Sequence, residues 1–184
     1  MNRDPYDTRD TNQPKGNAMH TDSIDGTADV YDSLDIIARI DQLQGIADAC
    51  AEMAERKNEI AAELADTDLA SSHDALRAEL EQIDEDTEEL TADESAELAA
   101  LVALANECEG YADWQYGETL IARSYWVDYI RELIDDCYEM PKDLDSGKWP
   151  WRHMAMDYDA AAKEAEDDYA SVELFGNEYL IRNC

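Results

Sequence analysis

Relative to its size, this chain has few cations. It carries 14 Lys and Arg against 46 Asp and Glu in 184 residues, a formal net charge of −32. Affinity for phosphate groups rests on Lys and Arg, so nonspecific nucleic-acid binding is strongly disfavoured. An anionic membrane surface is disfavoured on the same ground. No run approaches 18 apolar residues and the first residues lack an apolar signal core, so neither a membrane span nor a secretory leader is expected. Cys50, Cys108, Cys137 and Cys184 are scattered and form no C-x-x-C pair, unlike the dense framework of a small secreted domain. The chain reads as soluble and cytoplasmic.

Catalytic signatures are also missing. There is no H-E-x-x-H, G-x-S-x-G, P-loop or G-x-G-x-x-G. The three histidines, His20, His73 and His153, are isolated from one another. Carboxylate pairs are so common that none stands out as an acid–base couple, which would need surroundings that raise a pKa. Asp22, Asp25 and Gly26 faintly match a calcium loop, but the first ligand and the bidentate Glu are absent. No enzyme, metal site or cofactor is expected.

The acids that are present are concentrated. From Ala78 to Ala122 there is no Lys or Arg, and ten carboxylates fall between Glu79 and Glu97: Glu79, Glu81, Asp84, Glu85, Asp86, Glu88, Glu89, Asp93, Glu94 and Glu97. Leu80, Ile83, Leu90, Leu98, Leu101 and Leu104 run through the same stretch at helical spacing. Low hydrophobicity with high charge would mean disorder, but this periodicity argues for ordered acidic helices.

Residues 1–27 read as a flexible tail, interrupted by Pro5, Pro14, Gly16 and Gly26. From about Ala28 to Ala65 a helix of about 50 Å is expected from its 1.5 Å rise per residue. Its seam is Ile36, Ile40, Leu43, Ala47, Cys50, Ala54, Ala61 and Leu64, interrupted by Lys57. The stretch from Asp66 to Ser72 is a break, with Ser71 or Ser72 as the next cap. Leu69, Leu76, Ile83 and Leu90 recur every seven residues, so a second helix is expected to fold back on the first. Thr91 and Glu94 have the spacing of a capping box, which starts a third helix near Ala92 and ends near Gly110. An uninterrupted helix through Thr91 is the alternative.

Beyond Gly110, Tyr and Trp become frequent and predict a compact aromatic core. A helix is expected from Tyr125 to Cys137, with Trp126, Ile130, Leu133 and Cys137 inward, stopped by Pro141. Residues 142–150 read as a loop. A short helix follows, from Met156 or Asp157 to about Asp168. Residues 171–182 read as a β-hairpin turning at Gly176 and Asn177. The expected fold is therefore mainly α. An antiparallel, coiled-coil-like helical hairpin (28–90) is followed by a small α+β domain (91–184) with a C-terminal β-hairpin.

Part of this second region has a family likeness. Tyr116 and Gly117 precede a helix carrying Asp128, Tyr129, Glu132 and Leu133. Pro141 follows, then Asp157, Tyr158, Asp159 and Ala160, then the closing hairpin to Arg182. In order and spacing, the region from near Asn106 to Cys184 resembles the C-terminal region of ArdA-type antirestriction proteins. That resemblance implies a homodimer that imitates B-DNA and occupies the DNA groove of a type I restriction–modification enzyme. The first hundred residues do not resemble the family's N-terminal domains.

The charge itself fits such a role. B-DNA carries one negative charge per ~1.7 Å of axis, so −32 corresponds to roughly 16 base pairs. The expected function is a DNA-mimic inhibitor of a host defence enzyme, restriction–modification first. The expected partner-binding acids are the ten above with Asp128, Glu132, Asp135, Asp136, Asp157, Asp159, Glu164, Glu166, Asp167 and Asp168. Alternatives are inhibition of a CRISPR effector, or an acidic coiled-coil adaptor unrelated to DNA whose surface charge only solubilises it.

Overall fold

The computed structural model describes residues 23–65, 73–111, 113–139 and 141–183. The expected tail over 1–22 and the expected caps at Ser71 and Ser72 lie outside the described residues. The chain is mostly helical with one four-stranded antiparallel sheet. In chain order the elements are β1 (Val30–Asp32), α1 (Ser33–Ala65), α2 (His73–Asp86), α3 (Ala92–Cys108), β2 (Thr119–Ala122) and α4 (Trp126–Cys137). Then come α5 (Lys142–Asp145), α6 (Tyr158–Ala165), β3 (Tyr169–Leu174) and β4 (Asn177–Arg182).

The sheet order is β1-β2-β4-β3. Strand periodicity divides its side chains between two cores. Leu120, Ala122, Val172, Leu174, Tyr179 and Ile181 meet Ile36 of α1 and Leu101, Leu104 and Cys108 of α3 on one face. Ile121 and Leu180 meet Trp126 and Ile130 of α4 and Ala162 of α6 on the other. Helices thus cover both faces. Across the second core the Trp126 indole donates to the Ala162 carbonyl at 2.9 Å. Its ring also meets the Tyr169 ring edge-on at 4.6 Å.

Two strands differ from expectation. Val30–Asp32, expected inside the first helix, is β1, and Thr119–Ala122 forms β2 beside it. The Ser33 hydroxyl accepts the Glu118 N–H at 2.7 Å, so β1 passes directly into α1. In the β3–β4 connection Leu174 pairs with Asn177. The turn residues are therefore Phe175 (φ 51) and Gly176 (φ 79), one position before the expected turn. Positive φ at both positions fits a two-residue hairpin turn.

Residues 23–27, expected within the flexible tail, and Ala28, expected to open the first helix, lie against the core. Ile24 is buried in the α3 side. The Tyr179 hydroxyl donates to the carbonyls of Gly26 (2.7 Å) and Ala28 (2.9 Å). Gly26 has φ +73, and a Cβ there would sit 3.1 Å from both the Leu174 carbonyl oxygen and Phe175 Cβ. Only glycine fits this approach without strain.

Along α1 the seam shifts from its expected course. Ile36 and Leu43 are fully buried, but Ala54 and Ala61 are exposed, and Ile60 is buried instead. Ile60 packs with Leu76 and Ile83 of α2, flanked by Leu64 and Leu80. Lys57, which looked like an interruption, lies seven residues from both Cys50 and Leu64 and reaches Asp84 of α2 at 2.6 Å.

At the end of α2 the Thr87 N–H makes the last helical bond to the Ile83 carbonyl (3.0 Å), and the Thr87 hydroxyl donates to the same oxygen (2.5 Å). The chain is not helical from 87 to 91, so the uninterrupted helix does not form. Leu90, expected on the apolar row of the second helix, is half-buried in this connection. Helix α3 restarts at a complete capping box. The Thr91 hydroxyl accepts the Glu94 N–H, and Glu94 accepts the Thr91 N–H at 2.9 Å.

On α4, Trp126 and Ile130 are buried, whereas Leu133 and Cys137, expected inward, are exposed. Ile134 takes the inner position. The expected loop over 142–150 contains the one-turn helix α5.

Candidate partner-binding surface

Nearly all the acids singled out in the sequence reach solvent. Glu79, Glu81, Asp84, Glu85 and Asp86 stand exposed on α2, Glu88 and Glu89 on the connection, and Asp93 at the start of α3. Asp128, Glu132, Asp135 and Asp136 are exposed on α4, as are Asp157, Asp159, Glu164, Asp167 and Asp168 around α6. Glu94 and Glu166 are half-buried.

Glu97 is the exception, at 4% exposure. Its position on α3 lies one turn from Leu101, on the row facing α1, so the helix turns it inward. There Arg39 of α1 donates to both of its oxygens, at 2.9 and 2.8 Å. The Ile24 N–H (2.8 Å) and Ser23 hydroxyl (3.2 Å) complete its shell. Glu97 therefore offers no charge to a partner.

The cations are largely occupied by neighbouring acids. Arg56 on α1 contacts Glu59 (3.0 Å) and Glu79 (2.8 Å), with Glu63 at 3.8 Å. Arg123 pairs with Glu166, and Arg131 pairs with Asp128 while lying over the Tyr158 ring. Hydrogen bonds from Arg56 hold the Glu79 carboxyl below its ordinary pKa, and the Thr91 backbone and hydroxyl do the same for Glu94. The hydrogen bond that Lys57 donates to Asp84 raises the Lys57 pKa. These contacts are exposed and each is worth little in stability. They pair much of the positive charge with acids while leaving the arginines partly exposed.

What remains is a set of acids outside the ion pairs, although Lys57 lies near enough to Glu89 to feel its charge and Arg77 precedes Glu81 by one helical turn. Among the described residues, none forms an ion pair with Glu81, Glu85, Glu88, Glu89 or Asp93. Glu81 and Glu85 are one helical turn apart, a spacing at which like charges repel. Helix α1 adds a row outside the acids expected to bind a partner. Asp41, Asp48, Glu52, Glu55 and Glu59 are all exposed at three-, four- and seven-residue steps, so they share one stripe. Its signal was present in the spacing, but Arg56 and Lys57 masked it until their partners on α2 were known.

The described residues contain no group of three His, Cys, Asp or Glu placed to hold a metal. Cys50, Cys108 and Cys137 are free thiols, and burial pushes the Cys108 thiol up to about 12. No helix among the described residues is long and apolar enough to cross a membrane. The exposed acids of α1, α2 and α4 present negative charge on helical backbone. The chain matches no protein-family model, no curated protein and no solved structure.

Proposed function

We propose that this protein is a DNA mimic that occupies the DNA-binding cleft of a host defence enzyme, a restriction–modification enzyme before others. One observation carries the reading. Glu81, Glu85, Glu88, Glu89 and Asp93 follow one another on ordered backbone with no cation paired to them, while Arg39, Arg56 and Lys57 are drawn into contacts with acids of α2 and α3. A surface that served only solubility would gain by interspersing its cations. The likeness of residues 106–184 to ArdA-type proteins supports the same reading.

Acids at three- to four-residue steps along a helix are ~5–6 Å apart by helical rise. A cleft lined with Lys and Arg exchanges its counterions for such fixed anions as it does for phosphates. In this reading the C-terminal half of α1 with α2 acts as a coiled-coil-like acidic hairpin. Its packed seam at Ile60, Leu76 and Ile83 holds the charges in place and limits the ordering cost on binding. The working form is a homodimer, as the resemblance implies.

The test is a competition for DNA. A type I restriction enzyme is incubated with labelled duplex and this protein in excess at 50 mM salt. Displacement of duplex and loss of cleavage are expected, both weakening steeply as salt rises. Full DNA binding and cleavage in the presence of excess protein would sink the proposal for that enzyme.

A further inference from the structure

A second feature lies apart from the acidic α2 surface. Helix α4 ends at Cys137, and the chain leaves it extended at Tyr138 (φ −127, ψ 130). Pro141 then opens α5. The end of α4, the start of α5 and Met156 and Ala161 near α6 border one concavity. It is an open groove of about 920 Å³ with Ile134, Tyr138, Pro141, Met156 and Ala161 along it. Tyr138 is 70% exposed and Met156 45%. Exposed aromatic and thioether side chains gathered at a concavity are characteristic of binding surfaces. Asp135, Glu139 and Lys142 form its polar edge.

We infer that this groove is a docking site for a cationic amphipathic helix of a partner protein. The argument is charge complementarity. The rim carries two carboxylates to one amine, on a chain with net charge −32. A second copy seated here would bring the same carboxylates against these, so self-association through this face is opposed. A helix with Leu or Phe on one face and Lys or Arg on its flanks satisfies both floor and rim, in the helix-in-groove mode. Tyr and Met suit such a helix because they give large contact area and adapt to differing side chains. DNA has no counterpart to this contact, so the inference does not rest on mimicry by the acidic helices.

The probe is a fluorescent 18-residue amphipathic peptide of Leu and Lys, with a scrambled isomer of identical composition as control. Anisotropy is read at 0.5 M NaCl, where charge attraction shared by both peptides is largely screened. The amphipathic peptide should bind at least about tenfold tighter than its isomer, about 1.4 kcal/mol at the standard conversion. The double variant Tyr138→Ser/Met156→Gln changes two exposed side chains and no charge. With its circular dichroism unchanged, it should bind both peptides alike. Equal binding of the two peptides by the native chain would overturn the inference. So would undiminished preference in the variant, or a native dimer by sedimentation that the variant converts to monomer. Inhibition of the restriction enzyme, measured on the same variant, reports separately on mimicry.

Discussion

Arg39 and Glu97 form a two-pronged pair in the interior: Nε donates to Oε1 at 2.9 Å and Nη2 to Oε2 at 2.8 Å, with side-chain exposures of 7% and 5%. The pair joins α1 to α3, and through Ile24 and Ser23 it also fastens the segment leading into β1. Removing one partner strands a buried charge, which costs about 3–5 kcal/mol. Arg39→Met should lower stability by that amount in urea titration. The double variant Arg39→Met/Glu97→Leu should recover much of the loss, because no charge is then left unpaired.

The same pair sets a pH dependence. Burial pushes the Glu97 carboxyl up, but Arg39, the Ile24 N–H and Ser23 outweigh it and hold it below its ordinary value of 4.5. A depressed folded-state pKa adds stability that is fully present above the unfolded value and lost as pH falls through the folded one. The stability difference between native protein and Glu97→Gln should thus be constant from pH 7 to about 5 and shrink below 4.5. A difference that grew on acidification would contradict the assignment.

Thr91 holds the junction between two acidic helices. Thr91→Ala removes the acceptor for the Glu94 N–H and the geometry that holds Glu94 against the backbone. A loss of about 1 kcal/mol is expected from such caps. Restriction inhibition should fall by more than stability alone explains, since the relative placement of α2 and α3 becomes less defined. Comparing inhibition at a temperature where both proteins are fully folded separates the two effects.

Gly26 offers a control in the segment held by Tyr179, away from the exposed acids of α2. Gly26→Ala forces a side chain into a positive φ and against Leu174 and Phe175. It should destabilise by about 1–3 kcal/mol, with inhibition unchanged below the new melting transition. Unaltered stability would show that the strap over β4 relaxes freely.

The central functional prediction concerns distributed charge. Glu85→Gln/Glu88→Gln/Glu89→Gln together should weaken binding to the target. The slope of log affinity against log salt should fall by up to about 3, given close to one counterion per neutralised contact. Each single change should have little effect. At low salt the triple variant should be more stable than the native chain, because it relieves self-repulsion. One single substitution that abolished binding in a folded protein would refute the distributed picture.

The predominance of helix was legible in the sequence because Leu and Ile recur at helical steps through acidic surroundings. The start of α3 was legible because Thr91 and Glu94 have a spacing with one mechanical meaning. β1 and β2 were not, since three and four residues are too few to display an alternation. Their strand state comes from pairing with each other and with β4, a tertiary effect. Glu97 was misplaced for a different reason. In a run of acids nothing local marks the one that points inward. The available signal was joint: a cation at Arg39 beside the row of Ile36 and Leu43, and an anion one turn before Leu101. A charge on each of two facing apolar rows implies a buried pair, whereas either one alone reads as surface.

Strand β4 lies inside the sheet, between β2 and β3, yet in chain order it follows every other described element. During synthesis the acidic helices therefore leave the ribosome well before the strand that completes both cores. Until Tyr179 emerges, its hydroxyl is not there to hold Gly26 and Ala28, more than 150 positions earlier in the chain. A nascent chain interrupted before residue 177 would lack the strand that both cores on the sheet share. The two cores on the sheet thus close later in synthesis than the contact between α1 and α2, whose packed residues end at Ile83.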